Sequence, residues 1–599
     1  MTAAAGAIVG RPMDPREALR RTFGFEQFRP GQAEAIAAAL SDRDALVVMP
    51  TGSGKSLCYQ LPALMRPDLT LVVSPLVSLM QDQVDALRAV APGRVEAINA
   101  QRGGAANAEA LRRAVSGECR LLYLAPERFA APRFAEVVRQ AAVGLFVVDE
   151  AHCVSQWGHD FRPDYFSLAD AARRLGAKAT IALTATATPR VADDVARRLA
   201  LRSPVRVTTG FDRPNLSFRV VRCRTTVDKQ RRIAAALGQG DALPAIVYAG
   251  TRGASEQLAR GLAGALGEQV VVYHAGLERS RRADAQERFM AGQARVIVAT
   301  NAFGMGIDKA DVRTVCHATV PASLEAYYQE AGRAGRDGHP AQCLLFAEPR
   351  DKGLHVFFIE RARLADSAFA QVAERLRWAG LDGSYDLPLR ELAAVAGPRA
   401  DEETARAIIG HLARASAIAP APAAPDRAVG RMLGSLDGRT LALCRSSARE
   451  AERVRWGQYR AIWAYVEADG CRRAALLAHF GDRAAGAPGV PCCDVCAPQE
   501  EAPAGVQAPA RPGSARRDLD AAILEVVAGA SPPVGRTRAV EILRGGRSRV
   551  VVDYAYDRLE AYGAFAHLRS EELLRRVDQL LQAGALRSTG GRFPKLRAA

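Results

Sequence analysis

One stretch constrains this chain more than any other: Val47-Val48-Met49-Pro50-Thr51-Gly52-Ser53-Gly54-Lys55-Ser56. An apolar run, read as a buried strand, feeds a loop with two glycines and ends in Lys-Ser, where a helix is expected to start. The glycines let backbone N–H groups converge on an anion, and the helix N-terminus adds its positive dipole. Thr51, Gly52, Ser53 and Gly54 form the cradle, Lys55 suits the outer phosphates of a nucleotide, and Ser56 offers a hydroxyl to Mg²⁺. The usual pattern has a glycine where this chain has Met49, so the match is partial, and the string alone also fits an ordinary helix-entry turn.

The surroundings favour the nucleotide reading. Between residues 44 and 205, strand candidates Ala45–Val48, Leu69–Val73, Arg120–Tyr123, Gly144–Val148 and Thr180–Leu183 alternate with amphipathic helices. Unbroken apolar strands separated by helices indicate a parallel sheet covered on both faces. Functional residues on such a sheet belong at the C-terminal strand ends. At 599 residues the chain is too long for one core, so several domains are expected.

Two strings flank the loop. Phe23-Gly24-Phe25-Glu26-Gln27-Phe28-Arg29-Pro30-Gly31-Gln32 interrupts a helical pattern over 15–40. Phe25, Arg29 and Gln32 suit an adenine, by stacking and a two-point amide contact; away from a phosphate loop the same residues read as a hydrophobic staple and helix cap. Downstream, Leu145-Phe146-Val147-Val148 ends in Asp149-Glu150-Ala151-His152. Asp149 is placed to hold Mg²⁺ with Ser56, and Glu150 to polarise the attacking water. The hydroxyls of Leu183-Thr184-Ala185-Thr186-Ala187-Thr188-Pro189 suit a relay to a moving neighbour, although a plain turn would look similar.

Next comes Ser155-Gln156-Trp157-Gly158-His159-Asp160-Phe161-Arg162-Pro163-Asp164-Tyr165. Trp157 and Phe161 offer stacking faces for unpaired bases and Arg162 offers charge, the usual pairing at a single-strand site. The string resembles the aromatic-rich loop of the RecQ family of DNA helicases, within superfamily 2, where it senses single-stranded DNA and couples it to ATP hydrolysis. The resemblance extends that role to Gln156, Trp157, Phe161 and Arg162, and implies a catalytic part for His152. Ser74-Pro75-Leu76-Val77-Ser78-Leu79-Met80-Gln81-Asp82-Gln83 and Ala125-Pro126-Glu127-Arg128 match helicase strings that touch the DNA backbone, Ser74 among them. Hydroxyls and helix-start N–H groups suit phosphate contacts without sequence reading.

A second α/β unit is expected over about 211–348, opened by the turn-rich join Phe211-Asp212-Arg213-Pro214-Asn215-Leu216. Its strand candidates are Pro244–Tyr248, Gln269–Tyr273, Arg295–Ala299, Thr314–His317 and Gln342–Phe346. No phosphate loop follows its first strand, so it is not expected to bind ATP by itself. It carries Ala299-Thr300-Asn301-Ala302-Phe303-Gly304-Met305-Gly306-Ile307-Asp308-Lys309 and Tyr327-Tyr328-Gln329-Glu330-Ala331-Gly332-Arg333-Ala334-Gly335-Arg336-Asp337-Gly338. Arg333 and Arg336, read as sharing one helical turn, suit a γ-phosphate across a cleft, where such a finger is worth about a thousandfold or more in rate. The resemblance, which covers residues 20–348, adds Gln329 to the catalytic set and Asp308 to the nucleotide-binding set.

After 350 the pattern changes. Residues 356–445 show amphipathic helices, notably Asp401 to Ala415, a Pro/Ala run over 418–426 expected as a loop, and Asp437-Gly438, expected as a hairpin turn. This region reads as an inserted winged-helix-like unit, either a DNA contact or a spacer. A helix is expected from about 446 to 469. Eleven cysteines are unevenly spread, and Cys471, Cys492, Cys493 and Cys496 crowd together. Four thiolates suit a closed tetrahedral Zn²⁺ site of structural role. The resemblance supports this through Cys471-Arg472-Arg473 and Cys493-Asp494-Val495-Cys496, but adjacent Cys492 and Cys493 put one ligand in doubt, with His479 a weak substitute. Residues 499–517 read as a linker. From 518 the chain resembles the RecQ C-terminal winged helix, with Arg544, Arg547 and Arg549 suited to DNA phosphates and a short wing over Ala585–Phe593.

Net charge is +16, which suggests an anionic polymer as partner, although six lysines against so many arginines also suit a base-composition bias. No apolar run approaches the roughly 20 residues of a membrane span, and no signal peptide is evident, so a cytoplasmic location is expected, nucleoid-associated if bacterial. The expected architecture is α/β. Two tandem RecA-like parallel-sheet domains (1–207 with the ATP site, and 208–350) precede the inserted unit (356–445), a helical zinc-binding subdomain (446–498), the linker (499–517) and a winged helix (518–599). The resemblance implies an ATP-dependent 3′-to-5′ DNA helicase, at once hydrolase and isomerase, acting in repair and recombination with ATP, Mg²⁺ and Zn²⁺. Its expected partners are single-stranded and forked duplex DNA and a single-strand DNA-binding protein, and a monomer is expected. A DNA-dependent ATPase that translocates or anneals without unwinding is the alternative.

Overall fold

The computed structural model describes residues 13–75, 77–99, 102–130, 132–155, 165, 168–304, 309–379, 382–421, 423, 426–434, 437–482, 491–498, 518–546, 549–565, 568, 570–589 and 594–598. Two compact units divide the chain near Gly505.

In the first unit, a parallel sheet holds β1 (Ala45–Val48), β2 (Leu69–Val73), β3 (Val95–Ile98), β4 (Leu121–Leu124), β5 (Val143–Val148), β6 (Ala179–Thr184) and β7 (Val205–Thr208) in the order β3-β4-β2-β5-β6-β1-β7. The central strands are buried along their whole length, as their apolar runs require. The strand pattern did not reveal β3, broken by Glu96, or the exposed edge strand β7. Glu96 is buried but meets Arg88, Arg102 and Arg113. A buried carboxylate needs such partners.

A second parallel sheet contains β8 (Leu216–Arg222), β9 (Ala245–Tyr248), β10 (Val270–Tyr273), β11 (Val296–Ala299), β12 (Thr314–His317) and β13 (Ala341–Ala347), ordered β10-β11-β9-β12-β13-β8. Strand β8 begins at the last residue of the stretch read as a join.

The region after 350 keeps a winged-helix order of elements. Helix Asp366–Arg377 is followed by β14 (Ser384–Pro388), helices Leu389–Ala396 and Glu402–Arg414, then β15 (Ile418–Ala421) and β16 (Arg427–Met432). The three strands form an antiparallel sheet, β14-β16-β15. Two expectations are corrected. The Pro/Ala run is not all loop, because Ile418–Ala421 pairs with β16. Asp437-Gly438 is not a hairpin turn: Asp437 accepts the Thr440 N–H at 2.8 Å and caps a helix running from Gly438 to Glu467. That helix therefore starts before residue 446.

Helix Arg472–His479 follows, and its consecutive leucines diverge. Leu476 packs into the second sheet's core with Trp463 and Val466, whereas Leu477 and Phe480 join the first sheet's core. Phe480 stacks on Phe211 of the inter-sheet join, ring centres 4.4 Å apart. This helix is a wedge common to both lobes.

The second unit has helices Leu519–Gly529, Arg536–Leu543, Arg549–Asp553 and Ser570–Gln582, with β17 (Leu586–Ser588) antiparallel to β18 (Leu596–Ala598). Ile523, Ile542, Leu573, Val577 and Leu596 share its core. The two strands lie on either side of the expected wing turn.

Candidate nucleotide site and cysteine cluster

The phosphate loop leaves β1 and enters helix Leu57–Met65. Gly52 and Gly54 adopt φ of +83° and +80°, a region that costs other residues strain. A side chain at Gly54 would collide with Gln32 Nε2. Gln32 Nε2 donates to the carbonyls of Ser53 and Gly54 (3.2 and 3.0 Å), its Oε1 accepts from Arg29 N (2.8 Å), and Arg29 Nη1 donates to Gly52 O (2.7 Å). Phe25 is 55% exposed, leaving an aromatic face beside the loop's supports. Ser53 Oγ donates to Pro50 O.

Lys55 folds back, its Nζ donating to Met49 O (3.0 Å) and Pro50 O (3.4 Å). Burial lowers its pKa, and Asp149 and Glu150 oppose that shift. Asp149 follows β5, next to β2 and β6. Loss of solvent, and then the Glu150 charge, push its carboxyl up to about 7. Glu150 has φ of +48°, an uncommon backbone for a residue with a side chain. Its N–H donates to Asp149 Oδ1 (3.0 Å). His152 is closed to solvent, and its Nδ1 lies 3.3 Å from Glu150 Oε2 and 3.0 Å from Thr184 Oγ1. The hydroxyl string after β6 thus meets the acidic string after β5.

From the second sheet, helix Leu324–Ala331 carries Gln329, and the chain then turns through Arg333 to Arg336. The arginines do not share a helical turn, because the helix stops at Ala331. Burial pushes the Tyr248 hydroxyl up to about 12, and the Arg333 guanidinium at its side pulls the other way. Arg336 approaches the phosphate loop: its Cγ would be 3.6 Å from a side chain at Gly52, and its charge bears on Lys55. A side chain at Gly332 would touch Thr51 Cβ at 3.7 Å, so the two loops lie against each other.

Sequence reasoning treated Arg213 only as part of the join. Its Nη1 donates to Thr51 O and Gly332 O (3.2 Å each), and its Nη2 to Ala334 O (3.0 Å) and Gly335 O (3.1 Å). Asn215 Nδ2 adds Gly335 O and His339 O (2.8 and 2.9 Å). Arg473 was likewise missed as a clamp. Its Nη1 donates to Asp212 Oδ1 (2.6 Å) and Arg213 O (2.9 Å), and its Nη2 to Leu216 O. The available signal was an arginine in a turn between Asp and Pro, which is too common to single out.

Arg473 sits beside Cys492. The sulfur atoms of Cys471, Cys492, Cys493 and Cys496 all lie within 4.8 Å of one another, Cys471 to Cys492 at 3.6 Å and Cys493 to Cys471 at 4.0 Å. Four sulfurs about 2.3 Å from a tetrahedral Zn²⁺ would be about 3.8 Å apart, so the donor set fits this metal. Adjacent Cys492 and Cys493 both bring their sulfurs to this cluster. Cys492 O accepts from Phe218 N and Asp494 N donates to Phe218 O, pinning the backbone to β8 before it turns at Asp494–Cys496. His479 is engaged elsewhere, with Glu325 (2.8 Å).

Of the residues expected at DNA, Ser74 is only 1% exposed, with its N–H on Leu124 O. It forms part of the floor at the end of β2 and is no surface contact in this state. Exposed Arg544 bonds Ser570 Oγ. Gln156, Trp157, Phe161, Arg162, Asp308, Arg547, the Arg549 side chain and the linker lie outside the described residues.

A phosphate loop on one parallel-sheet lobe is faced by an arginine loop from a second, the two-lobe arrangement of the superfamily 2 class. The chain matches the families "DEAD/DEAH box helicase" over residues 29–195 and "Helicase conserved C-terminal domain" over 228–338. It also matches "RecQ zinc-binding" over 432–497 and "RQC domain" over 518–599. It is 44% identical over 348 residues to the ATP-dependent DNA helicase RecQ of Bacillus subtilis and 42% over 348 residues to that of Pasteurella multocida. These alignments cover 57% and 58% of this chain and span only 58% and 54% of those proteins. The probable ATP-dependent DNA helicase RecS of Bacillus subtilis is 35% identical over 485 residues, 80% of this chain and 91% of that protein. The chain belongs to the RecQ family of ATP-dependent DNA helicases.

Proposed function

We propose that this chain hydrolyses ATP in the cleft between its two sheets to move 3′ to 5′ along single-stranded DNA and separate duplex ahead of it. The observation that carries the reading is the apposition of the Arg333–Arg336 loop to the phosphate loop, bridged by Arg213. A motor needs residues from both lobes at one nucleotide, so that binding and release change the spacing of the lobes.

In this reading Phe25, Arg29 and Gln32 receive the base, and Thr51 to Ser56 wrap the phosphates with Lys55 on the outer pair. Asp149 and Ser56 would hold Mg²⁺, which neutralises phosphate charge when bound; a carboxylate pushed up by burial and by the Glu150 charge is one that a divalent cation would hold ionised. Glu150 takes the proton of the attacking water. His152 holds Glu150 and links it to Thr184, while Gln329, Arg333 and Arg336 meet the charge that develops on the transferred phosphoryl. The four cysteines hold a structural Zn²⁺ whose filled shell leaves no place for water. The proposed domain division keeps the six segments expected from sequence, except that the boundary at 445/446 moves to the start of the helix at Gly438, and Asp308 and the 156–162 string keep their proposed nucleotide and DNA roles. Repair and recombination, a single-strand DNA-binding protein as partner, a monomeric state and a cytoplasmic, nucleoid-associated location belong to the same proposal. Among the described residues, no helix is long and apolar enough to cross a membrane.

The test is unwinding of 3′-tailed and 5′-tailed duplexes with ATP, using Lys55→Ala as control. The expected result is strand release from the 3′-tailed duplex only, abolished in the variant. ATP turnover on DNA with no released strand would favour the translocating or annealing ATPase.

A further inference from the structure

A cavity of about 330 Å³ lies away from the nucleotide site, between the start of helix Asp366–Arg377, helix Glu402–Arg414 and the long helix Gly438–Glu467. Arg445, Arg449 and Arg455 line it from the long helix. Arg445 and Arg449, four residues apart, share one face of that helix, and Arg455 enters the cavity from about 120° round it. Among the described residues none of the three has a hydrogen bond or ion pair, unlike most interior arginines of this chain. Arg449 is exposed at the mouth, whereas Arg455 is half-buried next to His411 on the floor. Burial, with the charges of Arg414 and Arg455, pushes His411 down to about 3, so the imidazole stays neutral and adds no cation. The opening helix, Asp366–Arg377, presents its N-terminus here, and its cap residue Ala365 has no side chain to satisfy the first N–H groups. Two carboxylates, Asp366 and Glu452, also line the wall; Glu452 is 3.9 Å from Arg363.

Burial lowers the Arg455 pKa against the opposing charges of Glu403 and Glu452, and around the same cavity Arg445 and Arg449 add cations with no hydrogen bond or ion pair of their own among the described residues. A multiply charged oxyanion such as phosphate would offset that charge through bidentate contacts to the planar guanidinium groups. We infer that this cavity is a second anion site of the protein, taking the phosphate groups of a nucleotide-sized ligand. A phosphate or diphosphate fits between Arg445, Arg449 and Arg455, with the helix N-terminus behind it, and the volume leaves room for more than the phosphate alone. The same chemistry is offered by a free nucleotide or by the backbone of a nucleic acid strand.

Binding would be measured by calorimetry on the full chain carrying Lys55→Ala, which weakens anion binding in the ATP cleft. The probes are inorganic pyrophosphate and a dT16 oligonucleotide. Each is compared with the same chain also carrying Arg445→Gln, Arg449→Gln and Arg455→Gln. A pyrophosphate affinity at least tenfold weaker in the substituted chain supports the site with a free phosphate ligand. Unchanged pyrophosphate binding with weaker oligonucleotide binding supports it with a strand as source. In that case the salt slope for single-stranded DNA should fall by about 2, the loss of three phosphate contacts. Identical behaviour of the two chains towards both probes overturns the inference. Should the triple variant fail to fold, exposed Arg449→Gln alone is used, with Arg449→Lys expected to recover part of the binding. Basal ATP hydrolysis, measured with Lys55 intact, is expected to be unchanged by the three substitutions, which separates loss of this site from loss of the motor.

Discussion

Arg213 Nη1 lies 3.2 Å from the carbonyl oxygen of Thr51 and 3.2 Å from that of Gly332, so one side chain of the inter-sheet join touches both halves of the nucleotide cleft. Burial lowers its pKa, and its four acceptors are all backbone carbonyls. Arg213 acts as a positioning residue. Arg213→Ala should reduce the kcat for DNA-stimulated ATP hydrolysis by about 100-fold with little change in nucleotide KM, the pattern of lost alignment and retained binding. Arg213→Lys cannot span four carbonyls and should recover little. Unchanged kcat in the alanine variant would reject the bridge as a determinant.

Gly335 makes the same loop sensitive from the other side. Its φ is +54°, and a side chain there would sit 2.5 Å from Asn215 Nδ2 and 2.7 Å from the His339 carbonyl. Gly335→Ala should displace the turn between Arg333 and Arg336 at a cost of about 1–3 kcal/mol. Nucleotide binding should persist while turnover falls. Equal turnover for Gly335→Ala and the parent chain is the contrary result.

If Arg333 and Arg336 stabilise the transition state, Arg333→Ala and Arg336→Ala should each lower turnover by about a thousandfold. Dissociation constants for a non-hydrolysable ATP analogue should change far less. Loss of analogue binding in step with turnover would instead make these residues ground-state ligands.

The Asp149 carboxyl titrates near 7, raised first by burial and then by Glu150. Its folded proton affinity exceeds that of the unfolded chain, whose carboxyl titrates near 3.8. The resulting stabilisation is complete below that lower value and is lost as pH rises through about 7. Without nucleotide or metal, Asp149→Asn should therefore melt above wild type at pH 8, by a margin that shrinks as pH falls below about 7 and vanishes near 3.8. Parallel melting curves across that range would show that the carboxyl is not raised.

The cysteine cluster anchors the helix that sends Leu476 into one lobe and Leu477 into the other. Cys493→Ser should lower bound zinc and reduce the melting temperature by more than about 5 °C, because metal binding free energy is folding free energy in such sites. ATP hydrolysis should fall with it, since Arg473, in contact with Cys492, clamps Asp212 and Arg213. Full zinc content in Cys493→Ser would remove that thiol from the ligand set.

Features written in a few consecutive residues were legible in the chain itself. The phosphate loop, Asp149-Glu150 at a strand end and the Cys493-Asp494-Val495-Cys496 spacing each depend on local backbone geometry, which short strings specify. Unbroken apolar runs likewise marked most strands of both sheets, because a parallel strand buries both faces. Strand β3 escaped because Glu96 interrupts its apolar run and is neutralised by three arginines, two of them from helices. Asp437-Gly438 misled because an Asp that starts a hairpin and an Asp that caps a helix look alike until the following residues choose; here Thr440 N–H chose the cap. What only the tertiary structure decided is the pairing of distant parts. Arg213 meets Thr51 across 162 positions, and Arg473 meets Asp212 across 261. Contacts of that kind carry no periodicity and no fixed spacing, so they arise only when two sheets and a wedge helix pack around one join.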